Sequence, residues 1–200
     1  VLLNKLLHSS ISPLVSPGNS RLGVMLPYSP LHYLLFEEGG FSALIMTSGN
    51  IAEEPIITNN ETAMKKLSDI ADAFLIHDRD IFMRTDDSII NVFEDKPRLL
   101  RRSIGYVPFP VELPFNSKME VLAVGGELKN TFALTSGNHA ILSQQIGDVE
   151  NLETVGFFED TLRNLRNIYS LNPVAVAHDL HPDYLTTGWA KTFAEKNNLK

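Results

Sequence analysis

Met46-Thr47-Ser48-Gly49-Asn50 is an apolar run that ends abruptly in small polar residues. Ala43 to Met46 read as a buried β-strand, which sets Thr47, Ser48 and Asn50 at its carboxyl end, where open α/β sheets bind ligands. Two hydroxyls and an amide there can hydrogen-bond a ligand. Gly49 admits a positive φ and a close ligand approach. The same four residues also make an ordinary turn, so the weight falls on what accompanies them.

Three further clusters do so. In Arg84-Thr85-Asp86-Asp87-Ser88, two adjacent carboxylates beside a hydroxyl suit Mg²⁺, a hard cation that takes oxygen ligands. Arg98 and the pair Arg101-Arg102 follow closely and can grip phosphate in bidentate fashion. A solvated hairpin with surface ion pairs is the plainer account of the same residues. Gly125-Gly126-Glu127-Leu128-Lys129-Asn130-Thr131 offers backbone N–H groups from a double glycine and a point charge from Lys129. It lacks Walker A spacing, and a hairpin turn explains it equally well. His178-Asp179-Leu180-His181-Pro182-Asp183-Tyr184 has the residue types of a metal site, but a local run rarely supplies convergent geometry. It is read as a substrate-facing loop at a strand's carboxyl end, with Asp183 as N-cap of the next helix. No metal ligand set is assigned.

The elements that must position these clusters are legible from periodicity and punctuation. Leu2 to His8 reads as a helix and Leu22 to Met25 as a strand. Ser29-Pro30 opens a helix that runs to Glu38 and stops at Gly39-Gly40. Asn59 or Asn60 caps a helix bearing Ala63, Leu67 and Ile70, and Ala73 to Ile76 reads as a short strand. Ser88–Phe93 and Arg98–Arg101 suit a hairpin with Glu94 to Pro97 as its connection. Prolines 108, 110 and 114 then punctuate an aperiodic stretch, a linker or laced-down crossover. Beyond it come strands Val121–Val124, Thr131–Thr135 and Ala140–Ser143, with Ser136-Gly137-Asn138 as a tight turn. A helix from Leu152 to Tyr169 follows, with Val155, Phe158, Leu162, Leu165 and Ile168-Tyr169 on one face. Strand Val174–Ala177 and a helix from Tyr184 to Lys196 close the chain. The order β-β-β-α-β-α is the opening of a ribonuclease-H-like unit.

Composition narrows the class. A 44% hydrophobic, 20% charged chain is globular rather than disordered. A net charge of -7 argues against a broad basic nucleic-acid surface. With no cysteine, disulfides, thiolate ligands and a cysteine nucleophile are excluded within these residues, and a cytoplasmic setting is compatible. No apolar run approaches the ~20 residues of a membrane span. The chain opens at Val1 inside an expected helix, and the last unit looks truncated, so a fragment of a longer protein is expected.

Taken together, Ser16-Pro17-Gly18-Asn19, Leu22 to Tyr28, Met46 to Asn50, Asp86-Asp87-Ser88, Leu100-Arg101-Arg102-Ser103, Gly125 to Phe132, Leu142-Ser143-Gln144, Ile146-Gly147-Asp148 and His178 to Tyr184 resemble the HypF family. These carbamoyltransferases mature [NiFe]-hydrogenases. The resemblance implies an α/β chain: residues 1–109 as the carboxyl-terminal half of a YrdC-like α+β domain with a twisted mixed sheet, 110–118 as linker, and 119–200 as the start of an actin-like carbamoyltransferase domain. It implies that carbamate, from carbamoyl phosphate, is joined to ATP with Mg²⁺ as carbamoyl adenylate and passed to a cysteine of HypE. The family's zinc or iron would be bound outside these residues. Thr47, Ser48, Gly49, Asn50, Asp87, Ser88, Arg101 and Arg102 would bind ATP or the adenylate. Gly125, Gly126, Lys129, Asn130 and Thr131 would form a second nucleotide site, with His178, Asp179, His181, Asp183 and Tyr184 facing substrate. No catalytic residue is singled out. Asn91, Ile104 and Ala52 depart from the family's usual Arg, Arg and Ser. Two other readings stand beside this one: a double-stranded RNA-binding YrdC-type module, which the net acidity disfavours, and a tRNA threonylcarbamoylation enzyme on the same scaffold.

Overall fold

The computed structural model describes residues 1–6, 8, 11–52 and 54–200. The chain divides into two compact units: Val1–Ser48 with Ser88–Arg101, and Gly49–Asp87 with Arg102–Lys200. Both carry mixed sheets, and the fold class is α/β.

The first unit is a four-stranded sheet in the order β2-β1-β3-β4. Its strands are β1 (Leu2–Asn4), β2 (Arg21–Gly23), β3 (Ile89–Phe93) and β4 (Lys96–Arg101). The helix expected from Leu2 is therefore a strand over Leu2–Asn4, antiparallel to β2 and parallel to β3. An apolar run this short obeys its neighbours rather than its helical propensity; Leu7, within the expected helix, lies outside the described residues. The β3–β4 connection is two residues, not four. Glu94 and Asp95 both take positive φ (49° and 58°), as a type I′ hairpin turn requires. Helix α1 (Pro30–Gly39) begins as read, with Ser29 Oγ accepting the His32 N–H and proline at the first position.

Ala43–Met46 and Ala73–Ile76 form no strand. Ile45 and Leu75 are exposed, and neither segment is paired in a sheet among the described residues. Apolar character alone cannot make a strand, because each N–H and C=O needs a partner across the sheet.

The second unit has helix α2 (Asn60–Lys66), capped by Asn59 Oδ1 on the Thr62 N–H, and a five-stranded sheet in the order β5-β8-β7-β6-β9. Its strands are β5 (Val111–Glu112), β6 (Val121–Ala123), β7 (Ala133–Ser136), β8 (His139–Leu142) and β9 (Ala175–Ala177). β6, β7 and β8 form an antiparallel meander, and Gly137 supplies the positive φ of its tight turn. Helix α3 (Leu152–Tyr169) crosses over, and β9 pairs parallel with β6, which is the ribonuclease-H-like connectivity expected. Helix α4 (Leu185–Asn197) follows. The proline-punctuated stretch is laced down: Val111 and Glu112 pair with Ala140 and His139 as an edge strand.

Core packing belongs to this sheet and its helices. Leu122, Leu134 and Ile141 from the strands, with Phe132 just before β7, join Phe158, Leu162 and Leu165 of α3 in one cluster. Phe158 is edge-on to both Phe132 and Trp189, with ring centroids 5.0 and 4.8 Å away. Phe157 is buried too, while Ile168, expected on the inner face, is exposed. Asn151 Oδ1 caps α3 by accepting the Thr154 N–H at 2.8 Å.

Candidate functional site

β6 and β9 are parallel neighbours, registered Ala123 to Ala177, so the segments leaving them emerge at one end of the sheet. Val124 N–H extends the pairing to the Ala177 carbonyl. Gly125 follows at φ 72°, and a Cβ there would stand 2.6 Å from the Thr131 carbonyl oxygen. Only glycine fits. Gly126 borders open space. Lys129, exposed and also at positive φ, donates its N–H to Asp148 Oδ1 at 2.6 Å.

Asn130 holds this loop closed. It is buried, and its Nδ2 donates to the Val124 carbonyl (2.8 Å) and the Gly126 carbonyl (2.6 Å). Its backbone pairs with the Ile146–Gly147 segment through Asn130 N–H to Gly147 O and Ile146 N–H to Asn130 O. Both side-chain hydrogens are thus spent inside the loop, which makes Asn130 a brace for the glycines. Asp148, absent from the sequence-derived set, anchors the far side.

Across the sheet end, the loop after β9 is organised by its own backbone. Asp179 Oδ1 accepts the His181 N–H at 3.0 Å, and the Asp179 carbonyl accepts Thr187 Oγ1–H. His181 stacks on Tyr184, ring centroids 4.3 Å apart. Asp183 is not the N-cap of α4: Tyr184 occupies that position and makes no side-chain capping bond. Glu127 of the glycine loop supplies the acceptor, its Oε2 taking the Leu185 N–H at 2.7 Å. No local signal reveals this. The partners are 58 residues apart.

The other candidate residues fall in both units. In the first, Thr47 and Ser48 are exposed on irregular backbone, Ser88 directly precedes β3, and Arg101 ends β4 opposite Ile89. Arg98 lies over the Phe93 ring at 4.3 Å. In the second, Gly49 is exposed without the positive φ anticipated for it, and its carbonyl accepts the Ile57 N–H. Asn50 Nδ2 donates to the carbonyls of Ile51 and Glu54, both at 2.9 Å, so its amide hydrogens shape the loop. Asp87 is exposed, and the neighbouring Asp86 carbonyl accepts the Ile104 N–H. Arg84 lies over Phe157 at 5.3 Å, and its carbonyl accepts Gln144 Nε2–H.

Arg102 is partly enclosed. One guanidinium nitrogen donates to the Phe109 carbonyl at 2.8 Å, and Nη1 is buried without a hydrogen-bond partner among the described residues. Burial pulls its pKa below the ordinary arginine value, with Tyr169 acting in the opposite sense. It remains a cation at any physiological pH. Among the described residues, no three His, Asp or Glu side chains converge to hold a metal ion. None of the helices described is long and apolar enough to cross a membrane.

Two family models and several known proteins match this chain. Residues 1–103 match the Sua5, YciO and YrdC family described as "Telomere recombination", and residues 116–200 match the "HypF Kae1-like domain" family. Carbamoyltransferase HypF of Synechocystis sp. is 41% identical over 194 residues, which covers 97% of this chain and 25% of that protein. The crystal structure of HypF from T. kodakarensis superposes with a TM-score of 0.92 at 36% identity, over all of this chain and 26% of that one. A full-length HypF crystallised in a phosphate- and nucleotide-bound form gives a TM-score of 0.80 at 44% identity, covering 86% of this chain and 27% of its own. The chain spans about a quarter of the length of the curated relatives it matches.

Proposed function

Because this chain belongs to the HypF carbamoyltransferase family, we propose that it serves ATP-dependent carbamoyl transfer in [NiFe]-hydrogenase maturation. In this reading a carbamate oxygen, derived from carbamoyl phosphate, attacks the α-phosphorus of ATP and pyrophosphate departs. The carbamoyl carbon of the adenylate then passes to the C-terminal cysteine sulfur of HypE, and AMP leaves. A partner's thiolate suits a chain with no cysteine of its own. The proposed division sets a YrdC-type segment at 1–109, a connection at 110–118 and a ribonuclease-H-like segment from 119, in a cytoplasmic setting.

One observation carries the reading: the braced Gly125–Thr131 loop at the carboxyl end of β6. Gly126 leaves backbone open to an incoming group, and exposed Lys129 adds a cation beside it. Backbone N–H groups and an ammonium at such a loop hold phosphate. Asn130 and Asp148 keep it in shape. Guanidinium groups such as that of Arg102 would serve the adenylate by offsetting the charge of departing pyrophosphate. Mg²⁺ usually keeps several waters and leans on substrate phosphates with one or two carboxylates.

Titration of the 200-residue chain with Mg·ATP, followed by amide NMR, tests the loop directly. The Gly125, Gly126 and Lys129 amides shift on binding. Lys129→Ala weakens affinity about tenfold, the scale of one charged hydrogen bond. Saturating ATP that leaves these amides unmoved removes the loop from nucleotide binding.

A further inference from the structure

We propose that Glu127 is a positioning residue that couples the glycine loop to the His178–Tyr184 loop, so that a phosphate held by the first is registered by the second. The inference rests on the reading of the glycine loop as a nucleotide site and adds the device that links it to the segment facing the second substrate.

The first N–H groups of α4 have no partner within the helix. Tyr184, at the N-cap, offers none. The carboxylates nearest in sequence are Asp179 and Asp183. Asp179 Oδ1 is engaged by the His181 N–H, and Asp183 precedes the cap without bonding to the helix. The acceptor comes instead from Glu127, whose Oε2 lies 2.7 Å from the Leu185 nitrogen. A carboxylate here meets the positive end of the helix dipole through a charge-assisted hydrogen bond.

Both ends of this bond are fixed. The Glu127 carbonyl accepts the Val149 N–H at 2.9 Å, in the same strip that holds Lys129 and Asn130. On the other side, Thr187 in the first turn of α4 bonds back to the Asp179 carbonyl at 3.1 Å. Glu127 therefore spans two anchored loops that leave adjacent parallel strands. It also lies between Gly126 and Lys129, the residues proposed to meet phosphate. An anion arriving there repels the carboxylate toward the helix terminus and firms its bond to Leu185. Occupancy of one loop thus orders the other.

The test follows backbone amides of the ¹⁵N-labelled chain during Mg·ATP titration. Gly125, Gly126 and Lys129 report occupancy, Leu185 and the non-proline residues of 178–184 report coupling, and Leu122, Phe132 and Leu134 report the core. In the parent chain both loops shift with one dissociation constant. In Glu127→Ala the glycine loop still shifts, with affinity changed by no more than about fivefold, the scale of one charge at a helix terminus, while 178–185 stay silent. Glu127→Gln keeps an acceptor oxygen without charge and restores part of the response at Leu185, which a purely structural role would not separate from wild type. Should Glu127→Ala lose its core resonances, Glu127→Gln alone decides: an undiminished Leu185 response overturns the inference. So does a parent chain whose glycine loop shifts while 178–185 do not. A parent chain whose glycine loop never shifts overturns the nucleotide reading itself.

Discussion

The residues before Ser103 and those after it have the same kinds of side chain but different fates. Among the described residues, none before Ser103 is fully buried, and the apolar core begins at Leu122. Leu26 and Ile45 are each 80% exposed, whereas Leu122, Val124 and Phe132 are wholly enclosed. Strand formation does not account for the difference, since each sheet has paired strands. What differs is a second layer. β6, β7 and β8 lay their inner residues against α3 and α4, while the β2-β1-β3-β4 sheet encloses no side chain among its described residues. Burial requires two layers. The contrast teaches that hydrogen-bonded pairing draws a sheet whether or not its side chains are enclosed.

The sharpest way to break this comparison is to cut matching apolar groups from the two regions. Phe158→Ala is expected to cost about 3–5 kcal/mol, the range for a large aromatic removed from a packed core. Leu26→Ser is expected to fall within about 0.5 kcal/mol, as exposed substitutions do. Urea denaturation of both variants measures the pair; equal losses would mean that the two regions share one core.

Helix caps sharpen the same point on a smaller scale. Asn151 caps α3, which buries a face of aromatic and aliphatic side chains, and Asn59 caps α2, which buries none. Asn151→Ala is expected to lower global stability by about 1 kcal/mol, the usual worth of a cap. Asn59→Ala should register only as faster hydrogen exchange in α2, because a helix with no fully buried side chain contributes little to global unfolding. An equal fall in the denaturation midpoint for both variants would contradict this.

The smallest effect is expected at the β3–β4 turn, where Glu94 and Asp95 adopt left-handed conformations that favour Asn and Gly. Replacing the pair by Asn-Gly should slow amide exchange in the hairpin by a factor of a few, equivalent to about 0.5–1 kcal/mol. The second sheet should be unaffected. Protection that rises in β6–β9 as well would show the units to be energetically linked.

Much of the chain beyond Lys118 was legible in advance because its signals are short-ranged. The α3 cap lies three residues from its acceptor, its inner face repeats every three or four residues, and a glycine marks the β7–β8 turn. The Gly125–Thr131 loop stood out for the same reason. The misreadings share the opposite cause. Leu2–Asn4 became a strand through partners around Leu22 and Asn91, and Ala43–Met46 lacked any such partner among the described residues. Separately, the amide hydrogens of Asn50 and Asn130 bond to nearby carbonyls, an engagement that spacing does not announce. Composition and spacing reveal which groups are present, not which neighbours reach them first.

By itself, then, the order of residues determined the two asparagine-capped helices α2 and α3, the start of α1, the meander with its crossover, the family, and the presence of the glycine loop. These follow from backbone geometry repeated over a few residues, or from motifs kept in one order. Only the tertiary structure decided which apolar runs became strands, which polar side chains were already engaged, and that Glu127 would cap a helix beginning 58 residues later. Those outcomes depend on hydrogen-bond partners and facing layers brought together by the fold, and no local pattern encodes a distance between segments so far apart.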